Sequence, residues 1–204
     1  LIHVRGFCHL RQANRGEPCM PELPEVEITR RGLMPDLAGR KIDTVVARHT
    51  TLRYPLPRAL DRLLAGQTLR GIDRRGKYLL FRFDHGTLIV HLGMSGSLRL
   101  VPPAEPPGKH DHLDIVFGNR VLRLRDPRRF GAVLWVKGDA AGHPLIAPLG
   151  IEPLSDAFTG EWLHGATRGR ATAIKLFLMD SHAIVGVGNI YASESLFRIG
   201  LDPR

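Results

Sequence analysis

A chain of 204 residues, 43% of them hydrophobic, can bury one large core or two smaller ones. Twenty-nine Lys and Arg against 20 Asp and Glu leave a net charge of +9, which suits a polyanionic partner. An ordinary basic enzyme has the same composition, so the placement of the charge must decide between them. No apolar run approaches the roughly 20 residues needed to cross a bilayer. The first nineteen residues also lack the apolar stretch of a secretory signal, which together implies a soluble, cytoplasmic protein. Both cysteines, Cys8 and Cys19, precede Met20. That excludes a disulfide framework or a cysteine-ligated metal from Met20 onward.

In chain order, residues 1–19 read as an extension outside the mature enzyme, because "MPELPEVE" at 20–27 has the look of a protein's first residues. A helix is predicted from Pro24, with Glu25 and Glu27 near its positive end and Pro35 and Gly39 closing it. Residues 41–50 read as a strand, 57–66 as a short helix and 67–75 as a second strand. Residues 77–92 read as a hairpin turning at Asp84-His85-Gly86. Strands follow at 97–101, 111–117, 121–125 and 132–137, with Gly118-Asn119 as a turn between two of them. Such regular strands argue for a β-sandwich or barrel. Near residue 150 the pattern changes to three helical stretches, around 159–166, 172–180 and 189–198. The expected class is therefore α+β, with a β domain over 20–150 and an all-helical domain over 151–204. The ending "IGLDPR" reads as a helix end and turn, so a truncated domain is expected.

Several residues carry possible chemistry. If Met20 is removed, Pro21 bears a secondary amine with a pKa near 8, able to attack an aldehydic sugar carbon. Glu22 beside it could shuttle protons. Both are equally ordinary residues for a helix start. Lys77 follows Arg74 and Arg75, whose charge favours its neutral form, although a strand-edge lysine is the commoner use. Met94, between Gly93 and Gly96, is either a protruding wedge or core filler. "RVLRLRDPRRF" over 120–130 holds five arginines and ends in Arg128, Arg129 and Phe130 at a turn, suited to phosphate contact and insertion between bases. Its Arg123 and Arg125 share one strand face. His110 and His112 would share a face too, as half a metal site or as a phosphate contact. Lys175 is the one charge in an apolar helix approached by Arg168 and Arg170. Asn189 opens a helix after a Gly-rich turn, where backbone N–H groups attract phosphate; a packing turn between helices is the plainer account.

Taken together, "MPELPEVE", "RRGKYLL", "HLGMSGSLR", "KHDH", "DPRRFGA", "LGIEPLSDAF", "TAIKLFLMD" and "VGVGNIYASESLFRIG" resemble, in order, the bacterial formamidopyrimidine-DNA glycosylases. The resemblance runs from Met20 to Arg204. It implies a two-layer β-sandwich followed by a helix–two-turn–helix domain, incomplete here. It also implies a monomer that excises oxidised purines from double-stranded DNA and then cleaves the abasic strand. By the same resemblance Pro21 is the Schiff-base nucleophile, Glu22 the proton donor, and Lys77 the proton donor linked to β-elimination. Met94, Arg128 and Phe130 fill the gap left by the everted nucleotide. His110, Arg128, Arg170, Lys175 and Asn189 contact DNA. Leu23 matches the purine-directed branch, whereas the pyrimidine-directed endonuclease VIII group commonly has Gly there. The family's zinc ion sits in a C-terminal four-cysteine finger, and no cysteine follows Cys19 to supply its ligands. An oxidised-pyrimidine glycosylase and an inactive damaged-DNA-binding fragment are the rival expectations.

Overall fold

The computed structural model describes residues 21–204; the expectations for residues 1–20, including both cysteines, lie outside the described residues. Helix α1, Leu23–Leu37, starts where the Glu25 carboxyl reaches back to the backbone N–H of Glu22 at 3.0 Å, satisfying a donor the helix leaves open. Leu23, Val26, Leu33 and Leu37 form its buried face. The helix runs through Pro35, which the sequence reading took as its end. A proline in the last turn removes a single backbone bond, and Ala38 N–H still reaches Met34 O at 3.0 Å.

Eight strands follow: β1 Thr44–Ala47, β2 Gly71–Arg75, β3 Tyr78–Arg82, β4 Gly86–His91, β5 Ser97–Val101, β6 Asp111–Phe117, β7 Arg120–Arg125 and β8 Ala132–Lys137. A short helix, α2 (Leu60–Leu64), separates β1 from β2. The strands form two antiparallel sheets, one in the order β1-β6-β7-β5 and the other β2-β3-β4-β8. Leu79, Phe81, Leu88 and Val90 of the second sheet share a core with Leu113, Ile115, Phe117, Leu122 and Leu124 of the first. Alternate residues of each strand supply these apolar faces, the pattern a sandwich requires. Three helices complete the chain: α3 Gly160–Thr167, α4 Ile174–Met179 and α5 Asn189–Arg198. Among the described residues no helix is long and apolar enough to cross a membrane.

Two departures from simple alternation matter. Arg123, expected to share a strand face with Arg125 in the basic run, is only 2% exposed. Its Nε and Nη2 donate to the two oxygens of Asp114 at 2.9 Å each, and Arg48 donates to the same carboxyl at 2.6 Å. A buried guanidinium needs this pairing, so Arg123 is withdrawn from any partner. The pairing of β6 with β7 also slips between Asp111 and Leu113. The slip breaks the period of two: His112 is fully buried while His110, just before the strand, stays partly exposed.

The turn between β2 and β3 is strapped to the segment that leads into the helices. The Glu152 carboxyl accepts from Arg74 Nη1 (2.8 Å), Arg75 Nη1 (3.1 Å) and the Gly76 N–H (2.7 Å). Arg75 Nη2 also donates to the Leu149 carbonyl at 2.6 Å, and Arg74 Nε donates to Glu27 at 3.0 Å. The hydrogen bond from Arg30 is the chief reason the Glu27 carboxyl titrates at about 2, with bonds from Arg31 and Arg74 adding to it against the upward push of burial. A carboxyl whose folded pKa is depressed stabilises the fold above its unfolded value and loses that contribution as pH falls through the folded one. In urea unfolding, the stability difference between wild type and Glu27→Gln is therefore expected to hold above pH about 5 and to shrink steadily toward pH about 2.

Candidate active site

The site forms where the start of α1, the β2–β3 turn and the turn before α5 meet. Glu22 is fully buried. Its carboxyl accepts the backbone N–H groups of Gly188 (2.8 Å), Ile190 (2.9 Å) and Tyr191 (3.3 Å) at the N-terminus of α5. The first N–H groups of a helix are left open by its own carbonyls, and these lie at the positive end of α5. The sequence reading offered them to phosphate; in the fold Glu22 takes them, and Asn189 is left exposed beside them. A further bond joins the same elements, from Leu23 N–H to the Gly186 carbonyl at 3.1 Å. Pro21, directly before Glu22, is partly buried at this junction.

Lys77, in the turn between β2 and β3, closes the site from the other side. A Cβ on Gly188 would lie 2.5 Å from Glu22 Oε1 and 2.6 Å from Lys77 Nζ. The two side chains thus converge on one glycine, which is there because nothing larger fits. Lys77 has its pKa lowered by burial, with Glu22 and Glu25 pulling the other way. Arg74 and Arg75, expected from the sequence to cause this effect, are not its source. Those arginines are instead spent on Glu152 and Glu27, so desolvation is the cause.

Three participants escaped the sequence reading. Glu25 accepts from the Tyr191 hydroxyl at 3.1 Å, so both acids of the first turn face α5. Glu25 could have been suspected from its position three residues after Glu22, the spacing of a capping box. His91, at the end of β4, has its pKa pushed down to about 4 by burial, then by the charges of Arg53 and Lys77. Its Nδ1 accepts the Gly93 N–H at 3.0 Å, which leaves the proton of the neutral ring on Nε2. Glu152 holds the Lys77 turn through Gly76, 76 positions away in sequence, and no local pattern announces it.

The wedge candidates are also brought together. The turn holding Met94 packs on the turn holding Arg128 and Phe130; a Cβ on Gly93 would lie 2.5 Å from the Phe130 carbonyl carbon. Arg128 stacks over the Phe130 ring, 5.0 Å from its centroid, and that ring remains 46% exposed. Met94 is partly exposed, so it is not core filler. Arg129 adopts φ 58°, a left-handed conformation costly for a side chain this long. The helical candidates lie apart from this cluster. Arg170 is exposed and stacks over Phe177 at 5.0 Å, while Lys175 on α4 is partly buried.

Because Glu25 favours the ammonium form of Lys77, removing its charge must lower the pKa further. Titration of 13C-labelled lysine by NMR is expected to place Lys77 below the other lysines, and lower still in Glu25→Gln. An unmoved or higher value in the variant would contradict this electrostatic picture.

Comparison with known proteins agrees with the geometry. Residues 20–133 match the formamidopyrimidine-DNA glycosylase N-terminal domain, and residues 149–204 match the H2TH domain of the same glycosylases. The formamidopyrimidine-DNA glycosylase of Herminiimonas arsenicoxydans is 59% identical over 188 residues, which is 91% of this chain and 69% of that protein. The Lactococcus lactis enzyme in complex with DNA containing N7-benzyl-Fapy-dG superposes with a TM-score of 0.83 at 35% identity, covering 90% of this chain and 69% of that one. The same enzyme with abasic-site DNA gives 0.83 at 35% identity, covering 90% and 68%. The chain belongs to the formamidopyrimidine-DNA glycosylase family.

Proposed function

We propose that the chain is a base-excision-repair glycosylase that removes oxidised purines, 8-oxoguanine and formamidopyrimidines, from double-stranded DNA and cleaves the resulting abasic strand. The observation that carries this reading is the convergence of Lys77 and the buried Glu22 on Gly188, with Pro21 directly before Glu22. Relatives named for formamidopyrimidine-DNA glycosylase activity support the purine-directed reading over a pyrimidine-directed one. A damaged base stacked in a duplex is out of reach of such a buried site, so the nucleotide must be everted at a cost of a few kcal/mol.

In this reading the Pro21 nitrogen, as a free secondary amine, adds its lone pair to the sugar C1′ while the bond to the base breaks; the base leaves with that electron pair and takes up the proton that the Pro21 nitrogen loses. Opening of the sugar places the C1′–O4′ electrons on O4′, which takes a proton from Glu22, and an iminium joins Pro21 to C1′. The iminium acidifies C2′; loss of a C2′ proton expels the 3′ phosphate, with Lys77 serving proton transfer in that step. Water then releases the sugar from Pro21. When Met20 is attached, the Pro21 nitrogen is an amide and has no lone pair to give, so the chemistry belongs to a chain that begins at Pro21.

Met94, Arg128 and Phe130 are assigned to fill the vacated stack, and His110, Arg128, Arg170, Lys175 and Asn189 to contact the backbone. The charge of +9 supports such contacts and makes binding fall with salt. Division into a catalytic domain over 20–150 and a helical DNA-binding domain over 151–204 belongs to the same reading, as does action in the bacterial cytoplasm at the nucleoid. The family's zinc does not fit the residues present. No cysteine lies beyond Cys19, and among the described residues no three His, Cys, Asp or Glu side chains converge.

Borohydride trapping on a duplex with an abasic site tests the proposal. A chain beginning at Pro21 is expected to form a covalent adduct, and one retaining Met20 to form none. Gly188→Ala, which wedges a methyl between Glu22 and Lys77, should lower the trapping rate roughly 100-fold while far-UV circular dichroism is unchanged. No adduct from the chain beginning at Pro21 rejects the assignment.

A further inference from the structure

Asp126 is a fully buried acid outside the catalytic cluster, and it touches every segment that carries a wedge residue. Its Oδ1 accepts the Ser95 hydroxyl at 2.9 Å, and its Oδ2 accepts the Gly131 N–H at 2.7 Å. Ser95 follows Met94, and Gly131 follows Phe130. The Ser95 oxygen in turn accepts the Arg128 N–H at 3.3 Å, so one hydroxyl relays the carboxyl to the third wedge residue. The backbone of Asp126 adds more. Its N–H donates to the His110 carbonyl at 3.0 Å, and its carbonyl accepts from His112 Nε2 at 2.7 Å and from the Arg129 N–H at 3.3 Å.

Burying a carboxyl is costly unless its oxygens are satisfied. Here the satisfied contacts go almost entirely to two short turns. Each exposed wedge side chain sits on a residue that is itself anchored to Asp126 or is the immediate neighbour of one that is. The turn from 127 to 130 is exposed and holds Arg129 in a left-handed conformation, so something must fix it.

We propose that Asp126 is the positioning residue for the wedge. Its carboxyl locks the Met94 turn to the Arg128–Phe130 turn, so that the three side chains enter the duplex as one rigid body. The inference rests on the reading of Met94, Arg128 and Phe130 as the residues that fill the gap. Pre-organised this way, the trio loses little conformational freedom on insertion, and the gain falls on distorted DNA over intact DNA.

The test needs no chemistry at Pro21 and uses the 204-residue chain. The probe is a duplex with a tetrahydrofuran abasic analogue and 2-aminopurine in the opposite strand, whose fluorescence rises when the wedge displaces it from the stack. Wild type is expected to raise the signal, and the triple Met94→Ala, Arg128→Ala, Phe130→Ala variant to abolish the rise. Asp126→Asn keeps an acceptor for Ser95 but turns an amide donor toward the Gly131 N–H. It is expected to lose at least 80% of the fluorescence rise while binding undamaged duplex within twofold of wild type, and to add nothing in the triple background. Ser95→Ala removes the Oδ1 partner and the relay to Arg128 but leaves the Gly131 N–H on Oδ2, and should lose about half the rise; it serves if Asp126→Asn does not fold. If the triple variant keeps the signal, the gap-filling reading itself fails. If the triple variant loses it but both Asp126→Asn and Ser95→Ala retain it, or weaken intact and gapped duplexes alike, positioning by Asp126 is overturned.

Discussion

The arrangement depends on one carboxyl group. Glu22 is buried at the start of α1, and three backbone N–H groups at the start of α5 close around it. A buried acid can persist only where its oxygens are met by donors, and a helix N-terminus has donors to spare. The same contact therefore solves two problems. It satisfies the acid next to Pro21, and it seats the helical part of the chain on the β-sandwich. The burial of Glu22 and the seating of the helices are coupled because they share these hydrogen bonds.

The other parts of the site lean on that seating. Lys77 reaches the junction only because Glu152 holds the β2–β3 turn with bonds to Arg74, Arg75 and the Gly76 N–H. Gly188 leaves room for the carboxyl and the ammonium to approach from two directions. At the same end of the second sheet, where Tyr78 pairs with His91, β4 leads into the Met94 turn, and His91 lies close enough to Lys77 to feel its charge. The Lys77 turn and the Met94 turn thus sit at one end of the same sheet, where the start of β3 pairs with the end of β4.

Much of this was legible in the sequence, for identifiable reasons. Strand alternation and turn residues exposed the sandwich, because period two and turn chemistry are local. The helical change of pattern after residue 150 was equally local. The candidate catalytic residues were legible through resemblance, since Pro and Glu at a helix start are otherwise unremarkable. What escaped was non-local. Arg123 looked like a displayed cation until Asp114, on the neighbouring strand, was found to hold it. Lys77 looked tuned by adjacent arginines until Glu152 and Glu27 were found to neutralise them. The Gly-rich turn looked like a phosphate cradle, yet its donors serve an acid 166 positions away in sequence. In each case sequence neighbours suggested one partner and the fold supplied another.

By accepting the first N–H groups of α5, the Glu22 carboxyl ties the start of α1 to the helices that end the chain. Residue-resolved amide hydrogen exchange in wild type and Glu22→Ala tests it most directly. Protection at Gly188 and Ile190 is expected to fall at least tenfold in the variant. Ala192, whose N–H is bonded to the Gly188 carbonyl within the helix, should change far less. Equal protection of Gly188 and Ile190 in the two proteins would contradict the claim.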